Sequence, residues 1–406
     1  MRRRRWLALA VTGCVLSGAL VAACSSTPAA TATTRSTTTG TLRPGAGGTH
    51  AAHQASGHGP GTTDPSCLPA QVVAGWSVAR RAAQLVVVPV EETDVEAAAV
   101  SMSWGPGGLI LFGDSAPDDL GSELHGVTSS ALDGVPLLVM TDEEGGEVQR
   151  MANLVGELPW ARTMAKTMST GQVQALATQV ATKMLAAGVT VDLAPDLDLA
   201  SGPGPDAIHT DGPRSFSPTR ATATAYGEAF LTGLEAGGVL PVIKHFPGEG
   251  SATANTDDAP ASTPPLSTLQ GADLLPFAAA IKAGAPAVMV GNATVPGLTA
   301  TPASLSEVVI GGLLRGQLGF HGLVLTDSLS AGAIADIGIS VPTAAVQAVA
   351  AGVDMVLYQS DTPDTTGRQI VAALVAAVAD GTISTTQLDA AVLQVLQAKK
   401  VSLCPG

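Results

Sequence analysis

Eight short apolar runs, alternating with alanine-rich stretches to the end of the chain, limit the possible folds more than any other feature. They are QLVVVPV near Leu85, GGLILF near Ile110, VPLLVM near Leu138, VTVDLAP near Val191, VLPVIKH near Val242, AVMVGNA near Met289, GLVLTDS near Leu325 and VDMVLYQ near Val356. Continuous runs rich in branched residues, each followed by a helical stretch, predict parallel strands buried on both faces. Eight such units in one domain predict an α/β fold, a (β/α)8 barrel of the TIM type. A doubly wound sheet is the alternative, but no G-x-G-x-x-G turn follows the first run. Composition agrees: 46% of residues are hydrophobic but only 3% aromatic, so the apolar mass is Ala, Val and Leu, suited to helices on buried strands. The closing LDAAVLQVLQAKK has apolar residues at helical spacing and predicts a final amphipathic helix.

Polar residues cluster directly after these runs. Asp142-Glu143-Glu144, Asp196-Leu197-Asp198, Lys244-His245, Asn292 and Asp327 would all meet at the C-terminal rim of a barrel, where such folds carry their chemistry. The chain has a formal net charge of -14, which repels phosphate backbones and argues against a nucleic-acid partner.

The opening MRRRRWLALAVTGCVLSGALVAAC has a basic start, an apolar middle and small residues before a cysteine, the pattern of a secretory signal peptide over residues 1–23. Thr12, Gly13, Ser17 and Gly18 interrupt the apolar run, which is short for a permanent span. Val21-Ala22-Ala23-Cys24 resembles the lipobox of bacterial lipoproteins. That resemblance implies lipidation of Cys24 and an exported protein anchored to the outer face of the cell membrane. Residues 24–65, rich in Thr, Ala and Gly, read as a flexible tether whose His50, His53 and His58 are solvated rather than metal-binding. The barrel then occupies residues 66–406. With Cys14 in the leader and Cys24 lipidated, Cys67 and Cys404 remain, and in an oxidising compartment they predict a disulfide, the alternative being two free thiols.

Four segments carry candidate chemistry: TDEEGGEVQR (141–150), DGPRSFSP (211–218), KHFPGEG (244–250) and LTDSLSAGAI (325–334). In this order they resemble glycoside hydrolase family 3, specifically its single-barrel β-N-acetylglucosaminidases that act on peptidoglycan fragments, over about Cys67 to Cys404. The resemblance implies that Asp327 is the nucleophile and that Asp142, Arg150, Arg214, Lys244 and His245 hold sugar hydroxyls. Elementary chemistry is compatible with these roles, because neighbouring cations favour an ionised nucleophile and charged forks bind hydroxyl-rich rings. Simpler roles exist for each residue: Asp327 as a helix N-cap, and Arg150 and Arg214 as partners of Glu144 or Asp211.

One part of the pattern is broken. Members of that branch carry KHFPGHG followed by Asp-Ser-His in the same loop, and the Asp-His pair is their acid/base. Here Glu249 replaces the first histidine, and Asn255-Thr256-Asp257 fills the later slot. Asp257, beside Asp258, is the first candidate replacement acid/base, since adjacent carboxylates oppose each other's ionisation. Glu249 is the second, and His209 the third. Of the other histidines outside the tether, His245 is assigned to sugar binding, His321 precedes its strand and lies at the wrong end, and His125 has no evident role. The function expected is a cell-envelope lipoprotein that hydrolyses terminal β-linked N-acetylglucosamine from peptidoglycan-type saccharides with retention. The alternative is a catalytically impaired barrel that binds cell-wall saccharides as a sensor or scaffold. A metal-dependent hydrolase is a third reading, but no His-x-His or His-Glu pair stands at ligand spacing. Neither metal nor cofactor is expected, because double displacement needs only two groups and water.

Overall fold

The computed structural model describes residues 69–209 and 211–402. The expected leader, tether, Cys24 and the Cys67–Cys404 pair lie outside the described residues. Each of the eight apolar runs contains one strand. These are β1 Val87–Glu91, β2 Gly108–Phe112, β3 Leu138–Thr141, β4 Val191–Asp192, β5 Leu240–Phe246, β6 Ala287–Val290, β7 Leu323–Ser328 and β8 Met355–Leu357. All eight lie in one parallel sheet in chain order. Val356 bridges Val86 and donates its N–H to the Leu85 carbonyl at 2.8 Å, which closes β8 onto β1. The result is the expected (β/α)8 barrel.

Strand side chains alternate between two environments, as the two-residue period requires. Ile110 and Leu325 point into the barrel with Met140, Val242 and Met355, whereas Leu109, Leu111 and Val324 pack outward under the helices. The final helix, Thr385–Ala398, sets Val395 against the barrel floor. Local signals start the helices where packing needs them. Ser169 and Gln172 form a reciprocal capping box ahead of helix Thr170–Ala186, satisfying two backbone N–H groups that would otherwise lack partners.

Two elements were not expected. A short hairpin, Glu143–Gly145 with Val148–Gln149, follows β3, and residues Val308–Gln317 wind as a π-helix containing three glycines.

Candidate active site

The rim holds a pocket of about 250 Å³ whose lining includes Asp142, Arg150, Arg214, Lys244, His245, Glu249, Asp257 and Asp327. The nucleophile candidate, the first two acid/base candidates and the five sugar-binding candidates are therefore brought together. What positions them is a buried ionic network beneath the pocket.

Glu144 is at its centre. Arg214 grips its carboxylate with two hydrogen bonds, Nε and NH2 each at 2.8 Å, and Lys244 Nζ approaches the same group to 2.5 Å. Lys244 also donates to Asp142 at 2.6 Å, and Arg150 stands 3.9 Å from the other Asp142 oxygen. Burial works to raise the Glu144 carboxyl, but Arg214 and Lys244 outweigh it and hold the group well below the usual carboxylate range. Burial likewise works against charge on Lys244, and Asp142 and Glu144 overcome it to raise its pKa. The pairing of Arg214 with Glu144 thus fixes the guanidinium in the pocket wall instead of withdrawing it.

The hairpin after β3 places Arg150. Buried Glu143 accepts N–H groups from Arg150 at 2.7 Å and Met151 at 2.6 Å, folding the chain back over Asp142. Its own N–H is held by Asp192 Oδ1 at 3.0 Å. Burial pushes the Glu143 carboxyl up to about 7 and that of Asp192 well above its ordinary value. The sequence reading placed Glu143 at the rim without a role and did not single out Asp192, since both resemble strand-end polar residues like any other.

His245 hydrogen-bonds through Nδ1 to Asp198 Oδ2 at 2.8 Å, and its Nε2 faces Arg214 NH2 at 3.4 Å. Only an unprotonated Nε2 accepts from a guanidinium, so Nδ1 carries the proton. Burial, then Arg214, lowers its pKa to about 4, leaving a neutral ring. Asp198 also accepts N–H groups from His245 at 3.1 Å and Glu249 at 2.6 Å, anchoring the start of the following loop.

Asp196, Asp198, Asp211 and His245 place one potential metal-ligand atom each within 4.8 Å of the others. Sequence spacing hid this set because three chain segments supply it. Its groups are engaged with one another and with Arg214, which stands 3.7 Å from Asp211 and 4.0 Å from Asp196. Burial first, and mutual repulsion next, raises Asp196 and Asp211, the latter to about 7.

Asp327 ends β7, half-buried, with Oδ1 accepting the Ser328 N–H at 2.6 Å. The next helix, Gly332–Ala335, has Ala331 at its cap position, so Asp327 is not an N-cap. Burial raises its carboxyl, and the Asp257 carboxylate raises it further; His245, the Ser328 N–H and Lys244 act in the other direction. Asp257 reaches the pocket from the loop after β5. Although Asp257 is exposed at the pocket, partial loss of hydration raises it first, Arg214 opposes this, and Asp258 and Asp142 raise it again. The two carboxyls thus interact across one pocket.

Asp257 is not on a mobile tip of the kind that its Ser, Ala and Thr neighbours suggest. Gly332 and Ala333 donate their N–H groups to the Asp257 and Thr256 carbonyls, each at 2.9 Å. A Cβ on Gly332 would collide with the Asp258 backbone, so the loop can dock only on a glycine here. Glu249, the second acid/base candidate, also lines the pocket, and burial first and Asp327 next raise its carboxyl well above the ordinary range. It is fully buried, with Oε1 accepting the Ala293 N–H at 2.7 Å and Oε2 the Thr256 hydroxyl at 3.3 Å. Gly291 leaves the space its carboxyl occupies. Glu249 is a brace for the loop.

The other candidates fall away from the pocket. His209 bonds Asp206 at 3.0 Å, lies over Gly202 and is half-buried, apart from the pocket lining. His321 and His125 are exposed, the former just before β7 at the opposite end of the barrel. Asn292 donates to the Ser328 carbonyl at 2.9 Å and accepts from Ser304 at 2.6 Å, tying β6 to β7.

With this geometry in hand, comparison with known proteins is informative. The family model described as "Glycosyl hydrolase family 3 N terminal domain" matches residues 77–398. The β-hexosaminidase LpqI of Mycobacterium tuberculosis is 38% identical over 304 residues, covering 72% of this chain and 76% of that protein. A solved glycosyl hydrolase of family GH3 from Mycobacterium smegmatis superposes with a TM-score of 0.73 at 36% identity, over 80% of this chain and 98% of the other. The β-N-acetylhexosaminidase from Beutenbergia cavernae gives a TM-score of 0.74 at 33% identity, over 81% of this chain and all (100%) of that one.

Proposed function

The chain belongs to glycosyl hydrolase family 3 and is a glycosidase; from that premise we propose that it hydrolyses terminal β-linked N-acetylglucosamine by a retaining double displacement, with Asp327 as nucleophile and Asp257 as acid/base. The names of its similar relatives support the sugar. The observation that carries the reading is the pair of interacting carboxyls, Asp327 and Asp257, in a pocket whose other polar side chains include Asp142, Arg150, Arg214, Lys244 and His245.

Two close carboxyls resist simultaneous ionisation, so one holds a proton while the other is charged. Asp327 keeps the charge, because the Ser328 N–H and Lys244 favour its anion. Asp257 keeps the proton, next to Asp258. In the first step Asp327 bonds to the anomeric carbon as the glycosidic bond breaks, and Asp257 gives its proton to the departing oxygen. In the second, Asp257 takes a proton from water, which attacks the same carbon and releases Asp327 as carboxylate. Lys244, Asp142 and Arg150 hold ring hydroxyls, and neutral His245 adds polar contact without competing for the proton.

The peptidoglycan-type origin of the saccharide, export, and anchoring through lipidated Cys24 form part of the proposal and rest on the sequence of residues 1–24. Among the described residues, no helix is long and apolar enough to cross a membrane.

The test uses aryl N-acetyl-β-glucosaminides that differ in leaving group. Asp327→Asn should abolish turnover of all of them. Asp257→Asn should cost about 100-fold or more on poor leaving groups and little on good ones, because general acid assistance matters only when the leaving oxygen is basic. No turnover by wild type above that of Asp327→Asn, with measurable binding of N-acetylglucosamine, would favour the saccharide-binding alternative.

A further inference from the structure

A second, larger cleft of about 850 Å³ opens beside the catalytic pocket, and Phe112 and Gln359 line both. A molecule can therefore extend from one into the other along the rim. Its walls are the segment after β1, including helix Val95–Trp104, and the segment after β8, Gln359 to Thr365.

The order of strands around the barrel says which end of a substrate would lie there. Asp142 and Arg150 follow β3, Arg214 follows β4, Lys244 and His245 lie at the end of β5, and Asp327 lies at the end of β7. The Asp257 loop lies across to the residues after β7 and is pinned there by Gly332 and Ala333. Groups that hold the terminal sugar and its acid thus fill the rim from β3 round to β7. The sector left for whatever is attached to the anomeric carbon is that of β8 and β1, where the large cleft lies.

Its chemistry differs from that of the catalytic pocket. The catalytic pocket mixes carboxylates with two arginines and a lysine, whereas the cleft lining has Glu91, Asp94, Asp361 and Asp364 and no Lys or Arg. Asp364 is already engaged, by Trp104 Nε1 at 2.9 Å, the Ser101 hydroxyl at 3.0 Å and Arg368 Nε at 3.0 Å, and so forms part of the wall. Glu91, Asp94 and Asp361 are exposed, and among the described residues none of the three is ion-paired. Beneath them Val90, Ala98 and Phe112 give an apolar floor.

We infer that this cleft is the leaving-group site of the proposed glycosidase and that it takes leaving groups bearing a protonated amine, either an amino sugar with a free amine or a group carrying the amine further out. The inference rests on the proposed reaction. A concave wall of unpaired carboxylates concentrates field on such a group, and because those carboxylates are wet the gain is modest and salt-sensitive.

The test compares two substrate sets on wild type and on the triple variant Glu91→Gln, Asp94→Asn, Asp361→Asn. One set is aryl N-acetyl-β-glucosaminides with an amine, acetamide or carboxylate on a short spacer; the other is N-acetylglucosaminyl-β-1,4-glucosamine against N,N′-diacetylchitobiose. Wild type should favour the amine over the acetamide by about fivefold in kcat/KM at low salt and disfavour the carboxylate, with the preference fading at high salt. The triple variant should lose it while keeping its rate on acetamide substrates within about twofold. A preference confined to the second set would identify the amino sugar as the source, and one confined to the first would identify an outlying amine. Equal rates in wild type, or a preference that survives in the triple variant, would overturn the inference. If wild type cleaves none of the substrates, the proposed reaction fails, and the cleft is judged by calorimetry alone: the amine compounds must then bind about fivefold tighter than the acetamides to wild type and not to the triple variant.

Discussion

Glu144 does more for the site than any residue assigned to touch the sugar. Its carboxylate is the shared partner of two buried cations, Arg214 and Lys244. Removing one partner from a buried ionic set leaves the rest uncompensated, so Glu144→Gln should destabilise the protein by about 3 kcal/mol, read as a lower urea midpoint at pH 7. The sign with pH follows from its lowered pKa. The stabilisation is fully present above the unfolded carboxyl value and is lost as pH falls toward the folded one, so wild type and Glu144→Gln should converge in strong acid. The catalytic carboxyls titrate differently. Asp327 must be ionised and Asp257 protonated, and both are raised, so the pH–rate profile on poor leaving groups should be a bell displaced above the ordinary carboxylate range. Asp257→Asn should remove the basic limb and keep the acidic one; a basic limb that persists in Asp257→Asn and vanishes in His209→Ala would move the acid to His209. Residue types at strand ends made Asp142, Lys244, His245 and Asp327 legible in the sequence, whereas Arg150, Arg214 and the loop of Asp257 came from the family resemblance. The difference between Glu249 as acid and Glu249 as brace was not legible, because it depends on the space above Gly291 and on the Ala293 N–H, which belong to the next strand's loop.

Among the elements, the loop after β5 depends on a contact that no local pattern announces. Its Ser, Ala, Thr and Pro content suggests a solvated tip, yet the N–H groups of Gly332 and Ala333, some seventy-five positions further along the chain, hold its backbone. Docking is possible because Gly332 has no Cβ to meet the Asp258 backbone. Gly332→Ala should therefore shift Asp257 without touching Asp327. Its expected signature is a loss of about tenfold or more on poor leaving groups, near-normal rates on good ones, and a stability change of about 1–2 kcal/mol. Equal losses on both classes would mean that the contact supports the whole pocket and not the acid alone. Strands were readable because a buried parallel strand writes a continuous apolar run into the sequence. The hairpin after β3 was not, since only its two-residue second strand and buried Glu143 define it, and TDEEGG reads equally well as a loop.

For the molecule as a whole, closing the barrel joins the two ends of the folded chain, and the seam itself carries an ionisable group. Arg81 pairs with Asp389 there, and Lys399, just past the final helix, donates to the buried Gln84 side chain at 2.7 Å. Burial lowers the Lys399 pKa to about 7. In the unfolded chain this amine stays charged up to about pH 10.4. Between those values the native state binds fewer protons than the unfolded one, so stability rises with pH, and below pH 7 the contribution is flat. The side chain is partly open to water, which reduces the effect to about 1–2 kcal/mol between pH 7 and pH 9. Urea midpoints of wild type should therefore climb over this range relative to Lys399→Met, which has lost the titrating group and, with it, the slope. Parallel pH profiles for the two proteins would show that Lys399 remains charged in the folded state, snorkelling past Gln84 to water. The expected slope would show that the seam excludes water well enough to discharge a lysine, even though β8 and β1 meet there through the single bridge of Val86 and Val356.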